Sequence, residues 1–294
     1  MRIHALQCGA VRLHPSQQIG HGTGKIRLVN SLLDRRWTEP QPILAWAIEH
    51  PEGLIVVDTG DTADINRPGY FPWWHPFYKI GIKLIVDRAD EIDRRLVDAG
   101  LSTADVRWVV LTHLHSDHVG GLKHFPNAEI IVSRREYVDA TSFSGKMMGY
   151  LAQHWPSWFQ PRLIDFDDIG TSPSPFQGEG RGEVSGDAPF PGAFPLTAAR
   201  DVWIAPTPGH TPGHMSVIVQ DGLQNYFLAG DASYTTDAMM NLQVSGVSME
   251  AKLEWSTLSA VRNFVKSTPT LYLPSHDPLS VFRLNAASPL LRGE

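Results

Sequence analysis

Apolar residues in this chain fall into short runs separated by polar and turn-forming residues, the pattern of β-strands more than of long helices. Ile3 to Leu13 is a broken apolar run, and Pro42 to Glu49 (PILAWAIE) is a second. His50-Pro51-Glu52-Gly53 then turns the chain into LIVVDTG, a run that ends at Asp58. These two strands are expected to form a hairpin, with Val56 and Val57 buried on both faces. Val106 to Leu111 and Ala128 to Val132 read as strands, as do 201–205, 215–220, 226–229 and Leu271 to Leu273. Helical spacing marks two segments. Asp90 to Gly100 places acids in its first turn, Ile92, Leu96 and Val97 on one face, and a glycine at its stop. Met249 to Lys266 carries Leu253, Leu258, Val261 and Val265. Strand-rich halves that each carry helices predict an α/β fold, an αββα sandwich of two mixed β-sheets with helices on the outer faces.

Three segments break this pattern. Residues 70–78, YFPWWHPFY, crowd six Phe, Trp and Tyr rings and two prolines into nine positions. They are either a loop pinned to the core by its rings or an apolar wall of a substrate pocket. Thr171 to Pro195 holds five Gly and five Pro in 25 residues and reads as a flexible surface insertion, with a substrate lid as the rival. Residues 283–294 read as a loose tail. The chain otherwise reads as a single domain spanning 1–294, with no internal repeat of fixed period.

Composition narrows the classes. With 25 basic and 31 acidic residues the net charge is −6, which argues against a nucleic-acid surface built on bulk positive charge. A single cysteine, Cys8, cannot form an internal disulfide, so no oxidising compartment is required. The first residues lack a signal-peptide core, and no run approaches the ~18 apolar residues of a membrane span. A cytoplasmic protein without membrane contact is expected. Histidine is the unusual count, at 13.

Several of those histidines cluster. Thr112-His113-Leu114-His115-Ser116-Asp117-His118 follows the apolar run VRWVVL directly. In an extended segment residues i and i+2 face the same way, so His113 and His115 can converge on one ion. Asp117 and His118, beyond the turn, can point to a second position nearby. Imidazoles with a carboxylate are the donors zinc takes at open, catalytic sites. Three further candidates each sit just beyond an apolar run: His210 after VWIAPTPG, Asp231 after YFLAG, and His276 after LYLPS. His214 competes with His210 and is expected to hydrogen-bond or pack rather than ligate. No G-x-S-x-G elbow is present, and Cys8 is poorly placed as a nucleophile.

HLHSDH, TPGHTPGH, GDASY and SHD, in that order with VVDTG upstream, resemble the metallo-β-lactamase superfamily. Within it the chain is similar to the N-acyl-homoserine lactone lactonases, through Tyr234 in GDASY, SHD at the last position, and overall size. The resemblance implies that His113, His115 and His210 hold one zinc ion. Asp117, His118 and His276 would hold a second, with Asp231 bridging the two. It places Asp58 behind a ligand as an orienting carboxylate, and Tyr234 beside the substrate carbonyl. Asp117 would hand a proton to the leaving alkoxide. Di-iron redox relatives carry a carboxylate where this chain has His115, so the implied chemistry is hydrolytic. The implied function is opening of an N-acyl-homoserine lactone ring by metal-activated hydroxide, of the quorum-quenching type, on a small acyl-lactone substrate. The rivals are a glyoxalase II-like thioester hydrolase and a non-catalytic metal-binding or sensing protein; a homodimer stays open.

Overall fold

The apolar runs become strands in the computed structural model, which describes residues 1–166 and 188–286. One sheet is built from β1 (Arg2–Leu13), β2 (Gln41–Glu49), β3 (Leu54–Val57), β4 (Ile82–Ile85), β5 (Val106–Val110), β6 (Glu129–Ser133) and β7 (Arg162–Ile164). Its order is β4-β1-β2-β3-β5-β6-β7. β2 and β3 form the expected antiparallel hairpin, while β3, β5 and β6 run parallel to one another. The second sheet holds β8 (Phe194–Pro195), β9 (Val202–Pro206), β10 (Met215–Asp221), β11 (Gln224–Gly230) and β12 (Thr270–Pro274), in the order β12-β11-β10-β9-β8. Only its β11–β12 pair is parallel, so both sheets are mixed.

Alternation along the strands sorts side chains into layers. Leu44, Trp46 and Ile48 of β2 meet Val217 and Val219 of β10 in the core between the sheets. Their neighbours Ile43, Ala45 and Ala47 face outward, onto Ile92 and Leu96. Ile218 of β10 faces the opposite way, onto Leu258, Val261 and Val265. The helices supplying these outer layers are members of the series α1 (Pro15–Gln18), α2 (Gly24–Leu33), α3 (Ile92–Asp98) and α4 (Ser116–Val119), then α5 (Arg134–Thr141), α6 (Thr236–Met240), α7 (Ala251–Ser267) and α8 (Ser280–Ala286). The result is the αββα sandwich. No helix among the described residues is long and apolar enough to cross a membrane.

Each of the two expected helix faces holds except at one residue. Val97 is 63% exposed although Ile92 and Leu96 are fully buried. It lies five residues after Ile92, about 140° around the helix at ~100° per residue, which is off the stripe. Leu253 is likewise exposed, and the buried position one residue on is Glu254. Its carboxylate accepts the Ser245 N–H at 2.7 Å and the Ser245 hydroxyl at 3.2 Å.

The Gly/Pro-rich segment 171–195 falls mostly outside the described residues. Its described end, 188–195, is not a free surface loop. Phe190 and Ala193 are buried in the outer core of the second sheet, and β8 pairs with β9. The expected loose tail from 283 begins within α8 (Ser280–Ala286). Arg283 on α8 donates to Asp277 at 2.8 Å and Leu284 packs on the inter-sheet core; 287–294 lie outside the described residues. Phe190 meets Phe227 edge-on at 5.7 Å and Phe264 at 5.9 Å. Phe190→Ala is therefore expected to lower the unfolding free energy by about 3–5 kcal/mol, the cost of a large aromatic cavity. Urea unfolding checks this, and an unchanged midpoint would mean the segment does not pack.

Candidate metal centre

The strand ends of both sheets converge on one rim. β5 delivers His113 and His115 and then α4 with Asp117 and His118; β9 delivers the loop with His210; β11 delivers Asp231 and β12 delivers His276. Strand ends place side chains where loops can carry them while the sheets stay rigid. All seven expected residues meet there, in two groups whose donor atoms lie within 4.8 Å of one another: His113, His115 and His210, and Asp117, His118 and His276, with Asp231 joining His113 and His118.

Asp231 faces both groups. Its Oδ1 lies 3.3 Å from His118 Nε2 and 3.3 Å from His276 Nε2, while Oδ2 lies 3.6 Å from His210 Nε2. Asp117 Oδ2 is 3.5 Å from His276 Nε2 and 4.0 Å from His118 Nε2. His115 Nδ1 is 3.1 Å from His210 Nε2.

The outward nitrogens are fixed from behind. His118 Nδ1–H donates to Asp58 at 2.8 Å, His276 Nδ1–H to the Pro42 carbonyl at 2.9 Å, and His115 Nε2–H to the Met148 carbonyl at 3.2 Å. Each such bond selects the tautomer whose other nitrogen carries a lone pair toward the centre. Asp58 also accepts from the Thr112 N–H at 2.7 Å and hydroxyl at 2.9 Å, and that hydroxyl is 3.1 Å from His113 Nδ1. These partners hold Asp58 in a left-handed backbone (φ 59°) that costs a non-glycine residue about 1–3 kcal/mol.

His214 is different, as both its nitrogens are engaged. Nε2 accepts the Asp231 N–H at 3.0 Å, and Nδ1 faces the Thr207 carbonyl at 3.1 Å and hydroxyl at 2.9 Å. Burial, with the neighbouring imidazoles, pushes its pKa down to about 3. It braces Asp231 from behind.

Electrostatics follow the same division. Burial and the facing imidazoles hold His113 neutral, and burial holds His210 neutral, both far below the ordinary histidine range. Burial opposes charge on His118 and His276 as well, but Asp231 and its neighbouring carboxylates override it and raise both. Burial would raise Asp231, yet His276 and His118 hold it far below the usual carboxylate range. His113 Nε2, His118 Nε2 and Asp231 Oδ1 are buried without a hydrogen-bond partner. Orphaned atoms of this kind, aimed at one space and drawn from the nitrogen–oxygen set zinc accepts, fit a pair of divalent cations.

Tyr234 lies at the same rim, its ring stacked on His276 at 5.7 Å and edge-on to His210 at 6.2 Å. Burial and the Asp231 carboxylate raise its phenol, so it keeps its proton. The aromatic segment is a loop pinned by its rings, Tyr70 and Phe71 packing on the core, with an exposed tip. Trp73 and Trp74 are exposed, whereas His75 Nε2 contacts the Met147 carbonyl at 3.2 Å and Tyr78 donates its hydroxyl to the Gly149 carbonyl. The carbonyls of Met147, Met148 and Gly149 thus take His75, His115 and Tyr78 in succession. Thr112, Tyr78, Tyr150 and Glu136 escaped sequence reasoning. Glu136 is fully buried in a helix whose charged sequence, RREYVDAT, resembles a solvated face, and burial pushes its carboxyl up to about 7.

The sequence pattern described as "Metallo-beta-lactamase superfamily" matches residues 38–276. A Mycobacterium tuberculosis protein described as a "probable metallo-hydrolase" is 31% identical over 195 residues, 64% of this chain, and the chain spans 55% of that protein's length. The N-acyl homoserine lactonase AttM of Rhizobium radiobacter is 28% identical over 247 residues, covering 81% of this chain and 82% of its own. The crystal structure of a mutant of Bacillus thuringiensis AiiA with N-decanoyl-L-homoserine at its active site superposes with a TM-score of 0.72 at 22% identity, over 99% of this chain and 97% of that one.

His214→Ala is expected to remove the acceptor of the Asp231 N–H and the partner of Thr207. Leaving such buried groups unpaired costs about 1–3 kcal/mol, before any cavity term. Urea unfolding of metal-free protein should register this loss, while His210→Ala, which unpairs His115 Nδ1 alone where His214→Ala unpairs groups at both ring nitrogens, should change the same midpoint less.

Proposed function

The chain belongs to the metallo-β-lactamase superfamily, and from that premise we propose that it is a dinuclear metal hydrolase that opens the lactone ring of N-acyl-homoserine lactones. The observation that carries this reading is Asp231, one carboxylate oxygen toward each of two imidazole groups. The substrate class follows from the lactonase relatives that align over most of the chain and from Tyr234 at the rim. His113, His115 and His210 would hold one ion, Asp117, His118 and His276 the other, and Asp231 both. Zinc is the default for this donor set. Bound there, the two cations supply Lewis acidity and lower the pKa of water from 15.7 toward about 7.

The protein's own side chains do the rest. Tyr234, a protonated phenol, donates a hydrogen bond to the substrate carbonyl oxygen as negative charge develops there. Asp117 is less buried than His118 and His276 beside it, which leaves its carboxylate open toward substrate. It takes up the proton released during attack and passes it to the ring oxygen as the C–O bond breaks. Asp58, through His118 directly and through Thr112 to His113, keeps one imidazole of each group in register. Trp73 and Trp74 offer an exposed apolar surface to the acyl chain.

Purified without chelator, the protein is expected to carry close to two metal ions per chain by elemental analysis, and one ion or fewer at full activity would overturn the dinuclear reading. Metal should be lost on acidification. His118 and His276 have raised pKa values in the metal-free state, so protons compete for their nitrogens ever more strongly as pH falls. Tyr234→Phe keeps the ring and removes one donor. With a cation sharing the task, the expected loss is ~1–2 kcal/mol, or about 5–30-fold in kcat, with KM moving less. Assays on lactone, thioester and β-lactam substrates test the class; turnover of the thioester alone would replace the lactone by a glyoxalase II-like substrate.

A further inference from the structure

Two buried carboxylates outside the candidate ligands support the centre, and they do so differently. Asp58 touches ligand side chains: His118 directly, and His113 through Thr112. Glu136, on the first turn of α5, instead grips the backbone and flank of two loops. Its Oε1 accepts the Leu114 N–H at 3.0 Å, and its Oε2 accepts the Thr211 hydroxyl at 2.7 Å. Leu114 sits between His113 and His115, and Thr211 follows His210. One fully buried side chain therefore ties together the two loops that carry the three imidazoles of one group, one loop from each sheet.

Two more contacts lock the same arrangement. A Cβ at Gly213 would lie 2.2 Å from the Glu136 backbone nitrogen and 2.6 Å from its Cα, so the His210 loop rests directly on the start of α5. Tyr150, whose carboxylate neighbour is Glu136, stacks its ring on His115 at 5.2 Å. The other group is braced from elsewhere, His276 by the Pro42 carbonyl and His118 by Asp58.

We infer that Glu136 is a positioning residue for one metal ion: it sets the spacing between the His113/His115 loop and the His210 loop, and hence the affinity of that site alone. The inference rests on the two-metal reading above. Orienting partners of metal ligands typically govern affinity by 10–100-fold.

The test is a titration of the metal-free full-length protein with Zn2+ in competition with a chromophoric chelator, which resolves stepwise affinities without any substrate. The unaltered chain should bind two ions. Glu136→Gln, which keeps the side-chain volume but puts an amide where an acceptor stood, should weaken one step by about 10–100-fold and leave the other unchanged. Adding His210→Ala should abolish the weakened step and leave the other at its original affinity, which assigns it. Thr211→Val should weaken the same step with the carboxylate intact, and it carries the test if Glu136→Gln does not fold. Two unchanged steps, or two steps weakened alike, overturn the inference while the two-metal reading stands. Fewer than two ions on the unaltered chain overturns that reading, and the inference with it.

Discussion

Asp231 is a carboxylate held almost out of water, and the surrounding structure is organised to keep it charged there. Moving an ion of this kind into a protein interior costs several kcal/mol unless it is paired and hydrogen-bonded. His118 and His276 face it on one side, His210 on another, and His214 accepts its backbone N–H. Gly230 immediately before it has φ 55°, and a Cβ there would come within 2.8 Å of both Thr112 and His214. The chain thus reaches Asp231 through a turn that admits no side chain, which lets the two sheets close around it.

That requirement also explains where the histidines sit. The groups around Asp231 arrive from the ends of β5, β9 and β12, strands of both sheets, at the rim the sheets share. The Met215 N–H donates to the Thr112 carbonyl at 2.9 Å and the Leu44 N–H to the Ser275 carbonyl at 3.0 Å, so backbone bonds stitch the sheets together beside the site. The imidazoles inherit their positions from this stitching, and the orienting bonds behind them supply only the final rotation.

Most of this was legible in the sequence for physical reasons that differ by residue. HLHSDH could be read because its members are neighbours, and His210, Asp231 and His276 because each follows an apolar run that ends at the same rim. His214 could be separated from His210 only as an expectation; its two occupied nitrogens are a tertiary fact. Glu136 was illegible, since a glutamate among arginines and an aspartate looks solvated until loops from other strands cover it. Each helix face was read correctly except at one residue, Val97 and Leu253, because an apolar residue beside the stripe mimics one on it. The short strands β4, β7 and β8 carry too few residues for periodicity to register, and α2 exposes much of its apolar content.

Three successive carbonyls, of Met147, Met148 and Gly149, hold His75, His115 and Tyr78. The aromatic segment and one imidazole of the centre therefore hang from the same three peptide units. A substitution that moves His75 or Tyr78 would pull on this shared rail and disturb His115 with it. Exposed Trp73 has no described contact with these carbonyls or the rings they hold, so a substitution there leaves the rail untouched, whereas Trp74 leans on His75 at 5.4 Å and is coupled to it.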